Sequence, residues 1–119
     1  MTPLIFLLAS VAGGVGAALR YAADVGVSRL SGRRFPWGIV IVNISGSFAL
    51  GLVTAALPDA AFIIGAGLLG GYTTFSTATL DSIALWADGE RRASVLHLLG
   101  TFAASVIAAL AGLAVGAAL

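Results

Sequence analysis

Long runs without charged side chains constrain this sequence more than any other feature. Residues 37–57 and 95–119 contain no Asp, Glu, Lys or Arg. A helix that spans a bilayer needs about 20 mostly apolar residues, and a charge inside it is costly. Of the 119 residues, 60% are hydrophobic and 9% are charged, whereas about 25% of the residues of a soluble domain are charged. The sequence therefore predicts an all-α integral membrane protein.

Polar connectors divide the chain into four predicted spans, at about 3–27, 37–57, 60–86 and 95–119. The connectors are 28–36, which carries three arginines, Pro58 with Asp59, and the charged segment 88–92. Because these connectors are short, almost nothing is expected to lie outside the bilayer. We expect residues 1–119 to form a single four-helix transmembrane domain whose function resides within the membrane.

Hydroxyl and amide side chains recur inside the spans. Asn43 and Ser47 share one face of the second span, and Thr101 and Ser105 share one face of the fourth. One interpretation is that each hydroxyl bonds back to its own helix. The other is a polar path across the membrane. No carboxylate lies at the centre of a span, and the available donors, with electropositive ring edges such as that of Phe75, suit an anion better than a cation.

The third span contains the unusual stretch GGYTTFSTAT at residues 70–79. Gly70 and Gly71 predict a helix that is broken in the middle of the membrane, because glycine is costly inside a helix. Such a break frees backbone groups that only protein or a cavity can satisfy. The carbonyl ends can hold a cation, and the helix N-termini favour anions. The alternative is a simple kink satisfied by the adjacent threonines.

Three motifs in register resemble those of the Fluc (CrcB) family of fluoride channels. They are GGYTTFST in the third span, N-x-S-G-S-F-x-L-G from Asn43 to Gly51, and G-x-x-x-R-Y from Gly16 to Tyr21. The resemblance covers essentially the whole chain. It implies an antiparallel, dual-topology homodimer in the inner (plasma) membrane, whose two narrow pores pass fluoride passively out of the cytoplasm. It also implies a structural sodium ion at the dimer interface.

The resemblance further implies which residues carry these roles. Backbone carbonyls of Gly70 and Thr73 would hold the sodium ion. The fluoride path would be lined by the Asn43 amide, the ring edge of Phe75 and three hydroxyl side chains, namely Ser76, Thr79 and Ser105. The family commonly has a second Phe three residues after the first, where this chain has Ala78. Phe75 would then be the only ring of that pair in each pore.

The loop arginines bear on the topology. All five, namely Arg29, Arg33, Arg34, Arg91 and Arg92, lie in the first and third connectors, which share one side of the membrane. For a chain with a single orientation, the positive-inside rule places both termini outside. The resemblance implies instead that both orientations occur together.

Other classes of protein share some features with this sequence. A small multidrug-type proton-coupled antiporter has a similar length and span count, but such carriers depend on a Glu in the first span, where this chain has Arg20. A non-conducting scaffold with glycine-mediated helix packing is a second alternative. An enzyme is not expected, because the chain has no Cys or paired histidines and its lone His97 is predicted to be interfacial. The net charge of +1 argues against a nucleic-acid partner.

Overall fold

The computed structural model describes residues 2–119, and all of its regular secondary structure is helical. The α-helices are α1 (Pro3–Ser31), α2 (Trp37–Ala56), the single turn α3 (Gly70–Tyr72), α4 (Phe75–Ala87) and α5 (Arg91–Ala118). Between α2 and α3 lie a 3-10 turn at Pro58–Ala60 and a π-helical segment at Ala61–Leu69. π-Helical segments are rare and are frequent at functional sites.

Four stretches within residues 2–119 are long and apolar enough to cross a membrane. They are α1, α2, α5 and the third span, Pro58–Ala87, which joins the π-helical segment, α3 and α4. The molecule is 48 Å long, which exceeds the roughly 30 Å of hydrocarbon in a bilayer. The predicted all-α architecture with four membrane spans is therefore confirmed.

Helix α1 extends beyond the predicted end of the first span, from residue 27 to Ser31. Its start is capped by Thr2, whose hydroxyl accepts a hydrogen bond from the Ile5 amide at 3.2 Å. It ends at Gly32, which has a positive φ of 81° and donates its amide proton to the Ser28 carbonyl. Glycine adopts this conformation readily, so the turn into the arginine-bearing connector starts here.

Glycines bring α2 and α5 into backbone contact along parallel axes. A Cβ atom at Gly51 would overlap the Ala109 carbonyl, and one at Gly112 would overlap the Phe48 carbonyl. One turn further along, a Cβ atom at Gly116 would lie 2.7 Å from the Leu52 carbonyl oxygen. Small residues allow this close packing in a membrane, where hydrophobic burial does not drive helices together.

The third span is interrupted where its backbone becomes extended at Thr73 (φ −79°, ψ 157°) and Thr74 (φ −150°, ψ 123°). The predicted mid-span break is therefore present, but its position differs from the glycine pair. Gly70 is helical (φ −63°, ψ −38°), and Gly71 is also part of α3. A Cβ atom at Gly71 would overlap the backbone of Gly13 on α1. Gly71 therefore serves helix packing, and the extended residues follow it.

Candidate functional site

The break in the third span is held together by one side chain of α2. The Thr74 amide donates a hydrogen bond to Asn43 Oδ1 at 2.8 Å, and Asn43 Nδ2 donates to the Thr74 carbonyl at 2.8 Å. Asn43 Oδ1 thus replaces the Gly70 carbonyl as the partner of the Thr74 amide, and Asn43 Nδ2 adds a second bond to the carbonyl of this N-cap residue. Asn43 is buried, and one N–H of its amide group is left over from this pairing.

Helix α4 restarts in the middle of the span with its own cap. Thr74 Oγ1 accepts a hydrogen bond from the Thr77 amide at 3.1 Å, which is the usual N-cap arrangement. The positive end of the α4 dipole therefore lies within the membrane, where few other charges screen it. Phe75 and Ser76 form the first turn of this helix.

The hydrogen bonds that the Thr74 and Thr77 amides make at the break leave two backbone carbonyls without their helical partners. In a continuous helix the Thr74 amide would bond to the Gly70 carbonyl, and the Thr77 amide would bond to the Thr73 carbonyl. Both amides donate elsewhere. The Thr73 carbonyl receives instead a long contact of 3.5 Å from Arg20 Nη1. The carbonyl oxygens of Gly70 and Thr73 are thus among the acceptors that the break makes available.

A cavity of about 210 Å³ lies between α2, α4 and α5, next to the break. Its lining combines an amide, five hydroxyl side chains, two aromatic rings and two aliphatic side chains. The lining residues are Asn43, Ser47, Thr73, Thr74, Phe75, Ala78, Leu98, Thr101, Phe102 and Ser105. The hydroxyl groups of Thr73 and Thr74 take part in the hydrogen bonds of the break, so Ser47, Thr101 and Ser105 remain to meet a ligand.

Two hydroxyl groups in this cavity are buried without a partner. Within residues 2–119, neither Thr101 Oγ1 nor Ser105 Oγ has a hydrogen bond. They lie one turn apart on α5, so they face the same direction. A buried hydroxyl without a partner costs about 1–3 kcal/mol. The cavity is therefore suited to a small polar occupant, either water or an ion.

The structure brings together some of the predicted path residues and separates others. Asn43, Phe75 and Ser105 line the same cavity. Ser76 lies on the exposed surface of α4. Thr79 Oγ1 donates to the Phe75 carbonyl at 2.9 Å and lines a neighbouring cavity of about 240 Å³. Of the predicted cation ligands, Thr73 lines the first cavity and Gly70 is exposed.

Three further residues of the cavity were not among the predicted path residues. Ser47 and Thr101 were visible as members of polar stripes, each four residues from a predicted residue. Phe102 gave no signal in the sequence, because an apolar residue in an apolar span is the default. It was found only from its position in the cavity lining.

A second polar cluster lies nearer the arginine-bearing connectors. His97 is 1% exposed, and its Nε2 donates to the Pro36 carbonyl at 3.3 Å. Its Nδ1 lies 2.8 Å from Ser82 Oγ, and the Ser94 hydroxyl donates to the Ser82 carbonyl. His97 thus links the first connector, α4 and α5. This cluster is fully paired, in contrast to the cavity hydroxyls.

The four spans and the cavity beside a broken helix define a class of polytopic membrane proteins with a small site, lined by amide, hydroxyl and apolar side chains, among the membrane spans. The family described as CrcB-like protein, Camphor Resistance (CrcB), matches residues 7–113. The chain therefore belongs to the CrcB family, as the sequence motifs indicated.

Curated relatives match over nearly their full lengths. A fluoride-specific ion channel FluC of Chelativorans sp. (strain BNC1) is 36% identical, with 90% of this chain and 91% of the relative covered. The FluC of Mesorhizobium japonicum is 40% identical, over 92% of this chain and 90% of the relative. The FluC 1 of Nitrobacter hamburgensis is 42% identical, over 91% and 92% respectively.

Proposed function

We propose that this protein is a fluoride-selective channel that lets fluoride leave the cytoplasm passively. The observation that carries the proposal is the pair of unpartnered, buried hydroxyl groups of Thr101 and Ser105 beside the Asn43 amide in a mid-membrane cavity. The names of the curated relatives support fluoride as the ion. Membership of a family of ion channels argues against an enzyme.

The chemistry of the cavity favours an anion. Its lining offers O–H and N–H donors and contains neither an acidic nor a basic side chain. The N-terminus of α4 adds a positive potential at the same depth. Fluoride is small and strongly hydrated, so a narrow path must replace its water with several close donors. Asn43, Phe75 and Ser105 begin that path, and Ser76 and Thr79 continue it along α4.

The functional unit is a homodimer of antiparallel subunits within the lipid bilayer. Phe75, at the mouth of the cavity, is 75% exposed, and Ser76 beside it is exposed as well. A second subunit on this face would close the open side of the path. Each subunit would then contribute one path, which gives two paths in the dimer.

A sodium ion between the subunits would bind the backbone carbonyls that the break leaves free. The ligand type fits Na⁺, because carbonyl oxygens of unwound backbone are the groups that hold this ion in broken membrane helices. Gly70 and Thr73 supply two such oxygens per subunit, so a symmetric pair supplies four. The ion would be structural and would bind the two breaks to each other.

Fluoride efflux from liposomes tests the proposed function. Purified protein is reconstituted into vesicles loaded with potassium fluoride, and external fluoride is followed with an electrode after a potassium ionophore is added. Vesicles with protein should release fluoride rapidly, and vesicles loaded with potassium chloride should retain chloride. Efflux that requires an imposed proton gradient would indicate an antiporter. No efflux above that of protein-free vesicles would refute the channel.

A further inference from the structure

We propose that Phe102 of α5 provides the second aromatic edge of the ion path, across the cavity from Phe75 on α4. This inference rests on the proposed channel function and assigns a selectivity role to a residue of the fourth span. Phe102 lines the same cavity as Phe75, together with the Asn43 amide and the hydroxyl groups of Thr101 and Ser105.

The position of Phe102 is poorly explained by packing within the subunit. Its side chain is 63% exposed, so it is not part of the core. Phe102 precedes Ser105 by three residues, so the two side chains lie on neighbouring turns of one face of α5, and both line the cavity with Thr101.

The small side chain of Ala78 leaves space in the cavity for the Phe102 ring of α5. Ala78 lies three residues after Phe75 on α4, lines the same cavity and is 5% exposed. A methyl group at this position leaves room on the α4 side of the cavity. Two larger side chains of the same lining, Leu98 and Phe102, belong to α5. The aromatic contribution of this wall is therefore made by the fourth span.

Aromatic rings suit this role because their edges carry partial positive charge while their bulk excludes water. A small anion between the edges of Phe75 and Phe102 can approach the Thr101 and Ser105 hydroxyls at the same time. A larger anion such as chloride would have to push the rings apart. Phe102 thus contributes to anion attraction and to the exclusion of larger ions.

Substitutions at positions 102 and 78 test this assignment in the liposome efflux assay. Phe102→Ile removes the ring edge and should slow fluoride efflux roughly tenfold. Phe102→Tyr keeps the ring edge, so its fluoride efflux rate should stay within about threefold of the wild-type rate. The expected change is smaller than the loss of one whole aromatic contact. Phe6→Ile is the matched control, because Phe6 is 62% exposed on α1 and does not line this cavity.

The double variant Ala78→Phe with Phe102→Ile separates a lost ring from a damaged fold. A Phe at position 78 would enter the space that Phe102 leaves, so efflux should recover toward the wild-type rate. The single variant Ala78→Phe should be slow, because two rings would then compete for one cavity. Recovery in the double variant supports the proposal even if Phe102→Ile alone reconstitutes poorly.

The proposal is overturned if Phe102→Ile matches Phe6→Ile, or if Phe102→Tyr and Phe102→Ile lose efflux equally and the double variant does not recover. Failure of the proposed function has a different signature. In that case wild-type vesicles and Phe6→Ile vesicles would release no fluoride either.

Discussion

The amide group of Asn43 has one structural role and one proposed role in conduction. Its Oδ1 and one N–H pair with the backbone of Thr74, and only the second N–H is left for an ion. The residue therefore shapes the break, and in the proposed channel its second N–H is the donor to the ion path. A substitution at this position should change both the stability of the subunit and its conduction.

Two substitutions separate these roles. Asn43→Ala removes both hydrogen bonds to Thr74 and should lower the stability by about 2 kcal/mol, because backbone groups stay unsatisfied inside the membrane. Asn43→Asp keeps an acceptor for the Thr74 amide but loses the donor and adds a negative charge beside the path. Both variants should stop most fluoride efflux. Thermal unfolding in detergent and the efflux assay give the two measurements. Normal efflux in Asn43→Asp would remove this side chain from the ion path.

The unpartnered hydroxyls predict a variant that gains stability as it loses function. Thr101→Val keeps the side-chain shape and removes a buried hydroxyl that makes no hydrogen bond within residues 2–119. Its stability should be unchanged or higher by up to about 1 kcal/mol, while efflux falls. Ser82→Ala is the contrasting control, since Ser82 bonds to Ala78 and His97. It should cost about 1–3 kcal/mol. A Thr101→Val variant that unfolds early would show that its hydroxyl has a structural partner.

At the level of single residues, the sequence was informative where polarity was unusual and silent where it was not. Asn43 could be predicted because an amide inside a span must have a partner. Ser105 and Thr101 formed a visible polar stripe. The position of Phe102 in the cavity depends on how α4 and α5 pack, and no local pattern encodes that packing.

At the level of helices, the break depends on a contact between spans. The glycine pair predicted an interruption in the third span, and an interruption is present. Its position at Thr73 and Thr74 follows from the hydrogen bonds of Asn43, which lies 31 residues away in the chain. The cost of glycine in a helix indicated which span is broken. It could not indicate the residues of the break, because these depend on Asn43 in another span. The four spans themselves were predictable, because their charge-free length alone indicates them.

The two neighbouring glycines therefore differ in their sensitivity to alanine. A Cβ atom at Gly71 would overlap the Gly13 backbone on α1, whereas the nearest atom to a Cβ at Gly70 is the Gly65 carbonyl oxygen at 3.7 Å. Gly71→Ala should destabilise the subunit by about 1–3 kcal/mol. Gly70→Ala should leave the stability of the subunit nearly unchanged. Thermal unfolding in detergent compares them. Equal losses in both variants would indicate that backbone flexibility, and not helix packing, requires glycine here.

At the level of the whole molecule, the proposed sodium ion links the breaks of two subunits through the Gly70 and Thr73 carbonyls. Exhaustive replacement of sodium by N-methylglucamine, a cation too large for such a site, should abolish efflux, and added sodium should restore it. Chloride in the same vesicles, which the channel should not pass, is measured as the control for leaks. Unchanged efflux without sodium would show that the carbonyls need no cation.

The arginine distribution makes the orientation of the subunits testable. Arg29 lies in the last turn of α1, Arg33 and Arg34 lie before α2, and Arg91 and Arg92 begin α5. Because α2 and α5 run parallel, these five arginines occupy one end of the subunit. Two parallel subunits would place ten arginines on one side of the membrane, whereas an antiparallel pair places five on each side. The positive-inside bias of a single chain opposes equal insertion in both orientations. Burial of the open path between antiparallel subunits would compensate for that bias in the dimer.

Single cysteines can measure this orientation directly, because the sequence contains none. Ser31→Cys lies at the arginine-bearing end and Asp59→Cys at the opposite end, and both positions are exposed. In intact cells, a membrane-impermeant maleimide should label about half of each variant if the two orientations are equally populated, as antiparallel pairing requires. Permeabilised cells give the full labelling value. Complete labelling of one variant and none of the other would show a single orientation. The arginine bias would then decide the topology, and the two paths of the dimer would need parallel subunits.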